Sequence, residues 1–76
     1  MKVYKNKLGE YITVKPCRDG KRYMVVASDK MSDILGWRRV RSKYLPICST
    51  AEECEKHLTF YARMHDYRYV FDDNFN

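Results

Sequence analysis

The dipeptide Asp19-Gly20 constrains this chain more than any other feature. It stands between two runs rich in strand formers, Tyr11-Ile12-Thr13-Val14-Lys15 and Tyr23-Met24-Val25-Val26-Ala27. Both turn residues tolerate a positive φ, so Arg18-Asp19-Gly20 predicts a tight hairpin joining two antiparallel strands. An isolated hairpin is marginal in water, so more structure must cover it. Trp37–Tyr44 reads as the third main strand, stopped by Pro46, which cannot donate to a ladder. A short leading strand at Lys2–Lys5 can pair across the turn at residues 6–9, and Tyr67–Phe71 can add a trailing one. Ser28–Gly36 reads as a loop with room for one helical turn.

The period changes after Ser49. Thr50 is a hydroxyl N-cap, Glu52 and Glu53 suit the positive end of a helix dipole, and Thr50 with Glu53 fits a capping box. The predicted helix runs to about Asp66. Ala51, Cys54, Leu58, Tyr61, Ala62 and His65 share about 100° of arc, a stripe suited to a core. Phe60, Met64 and Tyr67 fall on the opposite side with His57, and form an apolar patch if nothing folds back over them. The expected fold is α+β: a small antiparallel three- to four-stranded sheet with one C-terminal helix on one face, in the order β-β-β-α.

Length sets the scale of this fold. Seventy-six residues make one domain, with its core over about residues 10–66 and residues 72–76 frayed. So short a chain buries only about 60% of its unfolded surface. It leaves no room for an enclosed catalytic cavity, and a non-enzymatic role without cofactor is expected. No apolar run approaches the roughly 20 residues that cross a bilayer, and the basic start MKVYKNKLGEY has no signal-peptide core. Three cysteines are an odd number, which fits a reduced, cytoplasmic setting better than a disulfide framework.

The net charge of +5 averages two unlike halves. Residues 1–45 carry twelve Lys/Arg against four Asp/Glu, or +8, while residues 46–76 carry three against six, or −3. Alternation places Val40 and Tyr44 toward the helix and Trp37, Arg39, Arg41 and Lys43 on the opposite, uncovered face. Tyr11, Thr13 and Lys15 join them, with Ile12 and Val14 turned inward. The strand at residues 23–27 is apolar on both sides, which leaves its orientation open, with Arg22 in phase with Met24 and Val26. Arginine among aromatic rings suits nucleic acid, since guanidinium pairs with phosphate or guanine edges while rings stack on bases. Trp37, Arg39, Arg41 and Lys43, helped by Tyr11, Lys15, Arg22 and Arg38, are the expected contacts. The expected partner is nucleic acid, DNA before RNA, or else an acidic or nucleic-acid-binding host protein. No membrane role is expected, and Phe60, Met64 and Tyr67 are the candidate protein interface, with a homodimer through the helix as one use.

The segments Arg18-Asp19-Gly20-Lys21-Arg22-Tyr23, Gly36-Trp37-Arg38-Arg39-Val40 and Ser49-Thr50-Ala51-Glu52-Glu53-Cys54 together resemble the arm-binding domains of phage and transposon integrases. Those domains, like the plant ethylene-response DNA-binding domain, set a three-stranded sheet against a C-terminal helix and read DNA with the sheet. The resemblance covers roughly residues 10–66, and a full integrase is not expected. The chain is also similar in style to small orphan proteins of phages and mobile elements, including anti-CRISPR inhibitors. That likeness implies the second expectation, an inhibitor that binds a host nucleic-acid-processing protein.

Metal and nucleophile sites rank below these. Cys54 and His57 are three apart on the predicted helix with Cys48 just ahead, but no C-x₂-C pair accompanies them. Asp29, Asp33, Asp72 and Asp73 match no metal-loop spacing. A Cys–His nucleophile needs a pocket that a chain this short rarely builds. No catalytic or metal residue is therefore expected.

Overall fold

The hairpin forms as its turn chemistry requires. In a computed structural model describing residues 1–32 and 35–73, Gly20 takes φ 70° and the Asp19 carboxylate accepts the backbone N–H groups of Lys21 and Arg22. The flanking strands β2 (Tyr11–Pro16) and β3 (Tyr23–Ser28) pair from Tyr11 opposite Ser28 to Pro16 opposite Tyr23. The leading strand β1 (Lys2–Lys5) pairs with β2 across a second turn, where Gly9 takes φ 83° and Asn6 Oδ1 accepts from Leu8 N and Glu10 N.

The sheet is larger than the expected three or four strands. Strand β4 (Arg38–Arg39) lies on one edge, and β5 (Arg68–Asp72) follows the helix and lies on the other. All five strands are antiparallel in the order β4-β3-β2-β1-β5. Strand β1 therefore has a partner on each side, and the fold reaches well beyond residues 10–66. Asp72 lies within β5 and Asp73 N donates to Met1 O at 2.6 Å, so neither is frayed; residues 74–76 lie outside the described residues. A bulge at Val70 puts two β5 residues opposite the Val3–Tyr4 step.

Strand β4 is much shorter than the predicted Trp37–Tyr44. Val40 N still donates to Val25 O, but the chain then bends. The Ser42 hydroxyl accepts from Tyr44 N, and Leu45 N donates to Ser42 O. This turn carries Leu45 into the core and leaves Tyr44 exposed rather than facing the helix. Of the predicted loop, Ser28 is the last residue of β3, and Asp33 lies outside the described residues.

Helix α1 (Ala51–Met64) starts where its cap predicts, with Thr50 Oγ1 accepting from Glu53 N at 3.2 Å. It stops short of Asp66 because Asp66 takes a left-handed φ of 57°. Tyr67 N then donates to Ala62 O and Asp66 N to Arg63 O, the paired bonds of a Schellman end. Cys54, Leu58 and Ala62 are buried, as the stripe predicts, and Ala51 and Tyr61 are half-buried. His65 is not core. It is the C-cap, exposed, with its ring 4.1 Å from that of Tyr61. The helix lies on β2 and β3, and its buried residues meet Tyr4, Ile12, Val14, Val25, Ala27, Leu45 and Cys48.

Register settles the orientation of β3. Val25 and Ala27 face the helix beside Val14 and Ile12, while Met24, Val26 and Ser28 face away beside Lys15, Thr13 and Tyr11.

Candidate nucleic-acid interface

The sheet face turned away from the helix is built from Val3 and Lys5 of β1, Tyr11, Thr13 and Lys15 of β2, and Met24, Val26 and Ser28 of β3. Arg39 of β4 and Arg68 and Phe71 of β5 complete it, following the register and the alternation of side chains, which the bulge at Val70 resets so that Arg68 and Phe71 share one face. Among these strand positions there is no carboxylate. Four carry a positive charge, and the helix that holds Glu52, Glu53 and Glu55 lies behind the sheet.

This face is layered. Val3, Thr13, Val26 and Ser28 are buried although no helix covers them. Thr13 Oγ1 donates to Lys2 O at 3.0 Å, extending the β1–β2 contact past the last paired residue, and Ser28 Oγ donates to Lys30 O. Long side chains form the layer above. Lys15 Nζ lies 4.9 Å from the Trp37 ring centroid, and Lys5 Nζ lies 5.0 Å from that of Tyr11. Such contacts hold an ammonium group over a ring. Arg39 sits opposite Val26, and its Nε is buried with no hydrogen-bond partner among the described residues.

The structure therefore brings Trp37, Arg39, Tyr11 and Lys15 together and separates the other predicted contacts. Arg38 points to the helix side, in register with Ala27, and forms an ion pair with Glu10. This pairing holds the Glu10 carboxyl below its usual range, through the Arg38 hydrogen bond first and the Asn6 amide second. Arg22 binds Asp19 at 3.0 Å on the hairpin tip. Arg41 lies beyond the paired part of β4, and Lys43 lies in the following turn with its Nζ 5.2 Å from the Tyr44 ring. The ladder fails because alternation continues only while a strand is paired, and β4 is paired for two residues. Lys5, Arg68 and Phe71 join the face in their place. Lys5 was legible from its phase in the leading strand; Arg68 and Phe71 depend on the long-range β1–β5 pairing.

The second predicted surface divides as well. Phe60 and Met64 are 61% and 51% exposed on the outer side of α1. Tyr67 does not join them. The Schellman turn redirects it onto the core edge, where its ring lies 5.9 Å from that of Tyr61, and burial pushes its hydroxyl pKa up.

All three cysteines are free thiols. Burial pushes the Cys54 thiol up to about 12, with neighbouring Cys48 adding to it, and burial also raises Cys48. Both are protonated at neutral pH, which suits packing rather than thiolate chemistry. No three His, Cys, Asp or Glu side chains among the described residues are placed to hold a metal ion, and no helix there is long and apolar enough to cross a membrane.

No family model, curated protein or solved structure matches this chain.

Proposed function

We propose that the chain is a small binding module that contacts nucleic acid through the outer face of its sheet. One observation carries this reading: Lys5, Lys15, Arg39 and Arg68 share a face that has Tyr11 and Trp37 under its ammonium groups and no carboxylate at any strand position. The cations neutralise phosphates, and the rings offer stacking or sugar contacts. The likeness to integrase arm-binding domains belongs to the same proposal.

The experiment is a titration of labelled duplex DNA, single-stranded DNA and RNA at several salt concentrations. Binding should weaken with salt on a log–log slope no steeper than about −4, since each neutralised phosphate adds about −0.9 and the face has four cations. Lys15→Glu and Trp37→Ala should weaken binding, whereas Arg22→Glu and Lys43→Glu should change it little. No binding at low salt, or affinity independent of salt, overturns the proposal.

A second reading is a protein inhibitor that presents this face to a host nucleic-acid-processing protein. The exposure of Phe60 and Met64 favours it, because a polyanion has no use for an apolar helix surface. A pull-down from nuclease-treated bacterial lysate that retains one specific protein supports this reading, and loss of every partner after that treatment removes it.

A further inference from the structure

Helix α1 lies over β2 and β3, so the same side of β1 and β5 stands beside the helix rather than beneath it. A groove of about 410 Å³ runs along that junction, and a second of about 340 Å³ continues it toward the outer surface of the helix. Tyr4 and Thr59 line the first, their hydroxyls bonded to each other at 3.2 Å, and Tyr69 lines it from β5 with its ring edge-on to Tyr4 at 5.9 Å. Phe60 forms part of the second, on the far side from the sheet face described above.

The charges of the groove are uneven. Lys2 and Arg63 line both parts and Lys56 lines the second, and none of the three forms an ion pair among the described residues. The one carboxylate there, Glu55, is engaged by the backbone, its Oε2 accepting from Lys2 N at 2.8 Å. Three uncommitted cations around exposed tyrosine and phenylalanine match a ligand that is both acidic and apolar. A polyphosphate backbone fits less well, because it brings no apolar group to cover Phe60 and Tyr69, both more than half exposed. Tyr, Phe and Arg are also the residues that anchor protein interfaces.

We infer that this groove is a docking site for an acidic segment of a protein partner, with an aromatic or aliphatic anchor against Phe60 and Tyr69 and carboxylates on Arg63 and Lys2. The site stands apart from the outer sheet face, so failure of either reading leaves the other intact.

The test is amide-resolved NMR of the labelled protein titrated with a defined probe. The probe is an acetylated peptide of about nine residues alternating Glu with Phe and Leu, roughly 30 Å when extended and so as long as the protein itself. Shifts should concentrate at Thr59, Arg63 and Tyr69. Phe60→Ser and Arg63→Glu should each weaken binding about tenfold, Phe60→Ser without moving the urea midpoint. Arg63→Glu should instead prefer a peptide in which Lys replaces the central Glu, a reversal that a merely structural residue would not produce. Four results overturn the inference: no shifts with the acidic peptide, equal shifts with its Phe→Ser version or with oligoglutamate, equal shifts at these amides with a deoxythymidine oligomer, or shifts that follow protein concentration alone, which would make the occupant a second copy of the chain.

Discussion

Lys15 Nζ lies 4.9 Å from the centre of the Trp37 ring, although β3 runs between the segments that carry them. Lys15 is level with Met24, whereas Trp37 lies two residues before Arg39, which is level with Val26. The two side chains thus converge along the face over the row of Thr13 and Val26, which are 2% and 1% exposed. A contact that any two-stranded reading would miss closes the outer layer of the sheet.

That geometry can be read by fluorescence, since Trp37 is the only tryptophan. Iodide should quench it more efficiently than caesium, because the Lys15 ammonium attracts the anion to the ring. Lys15→Met should reduce or reverse that preference. Equal quenching by both ions in the native protein would show that the ammonium is not held there.

The Glu10–Arg38 pair makes stability depend on acid. The folded-state pKa of Glu10 lies below its ordinary 4.5, so its contribution is fully present above that pH and is lost as pH falls through the lower, folded value. Urea midpoints measured downward from pH 5 should therefore fall more steeply for the native protein than for Glu10→Gln. Arg38→Met should flatten the curve in the same way. Parallel curves for all three proteins would contradict the pairing.

Asp66 occupies a left-handed position that glycine adopts freely, and it places a negative charge at the negative end of the helix dipole. Asp66→Gly relieves both and loses something to the freer unfolded chain. The net expectation is a gain of up to about 1 kcal/mol in chemical unfolding. Asp66→Asn, which removes only the charge, should recover a smaller part. Destabilisation by the glycine would mean that the carboxylate has a structural role of its own.

Leu58 is fully buried at the centre of the helix stripe, and Phe60 two positions on is mostly exposed. Leu58→Ala should cost about 2–5 kcal/mol of unfolding free energy, as expected for a cavity in a core. Phe60→Ser should stay within about 0.5 kcal/mol, the range for surface positions. Comparable losses at the two positions would show that the helix is rotated from the orientation described.

What the sequence makes legible is what short-range chemistry decides. Asp19-Gly20 determines the hairpin and Thr50 the helix start, because in each case the deciding hydrogen bonds join residues two or three apart. The inward set Ile12, Val14, Cys54, Leu58 and Ala62 follows from periodicity for the same reason. The end of β4 was harder to read, since the turn at Ser42 that buries Leu45 ends the strand five residues short of Tyr44. The helix end at Asp66 hid because that position is filled by aspartate where glycine is the usual signal. For the candidate interface, Trp37, Arg39, Tyr11 and Lys15 were legible from phase, while Arg68 and Phe71 were not. Their place depends on pairing with β1, more than 60 residues away.

That pairing has a consequence for how the molecule comes into being. Strand β1 leaves the ribosome more than 60 residues ahead of β5, which lies against it in the folded sheet. At about 5–20 residues per second, β1 spends several seconds with one side of its backbone open. Closing so distant a contact is also slow in itself. A strand that ends up inside the sheet thus begins as an edge, and for those seconds the nascent chain depends on the Lys2 and Lys5 charges to keep it from pairing with a stranger.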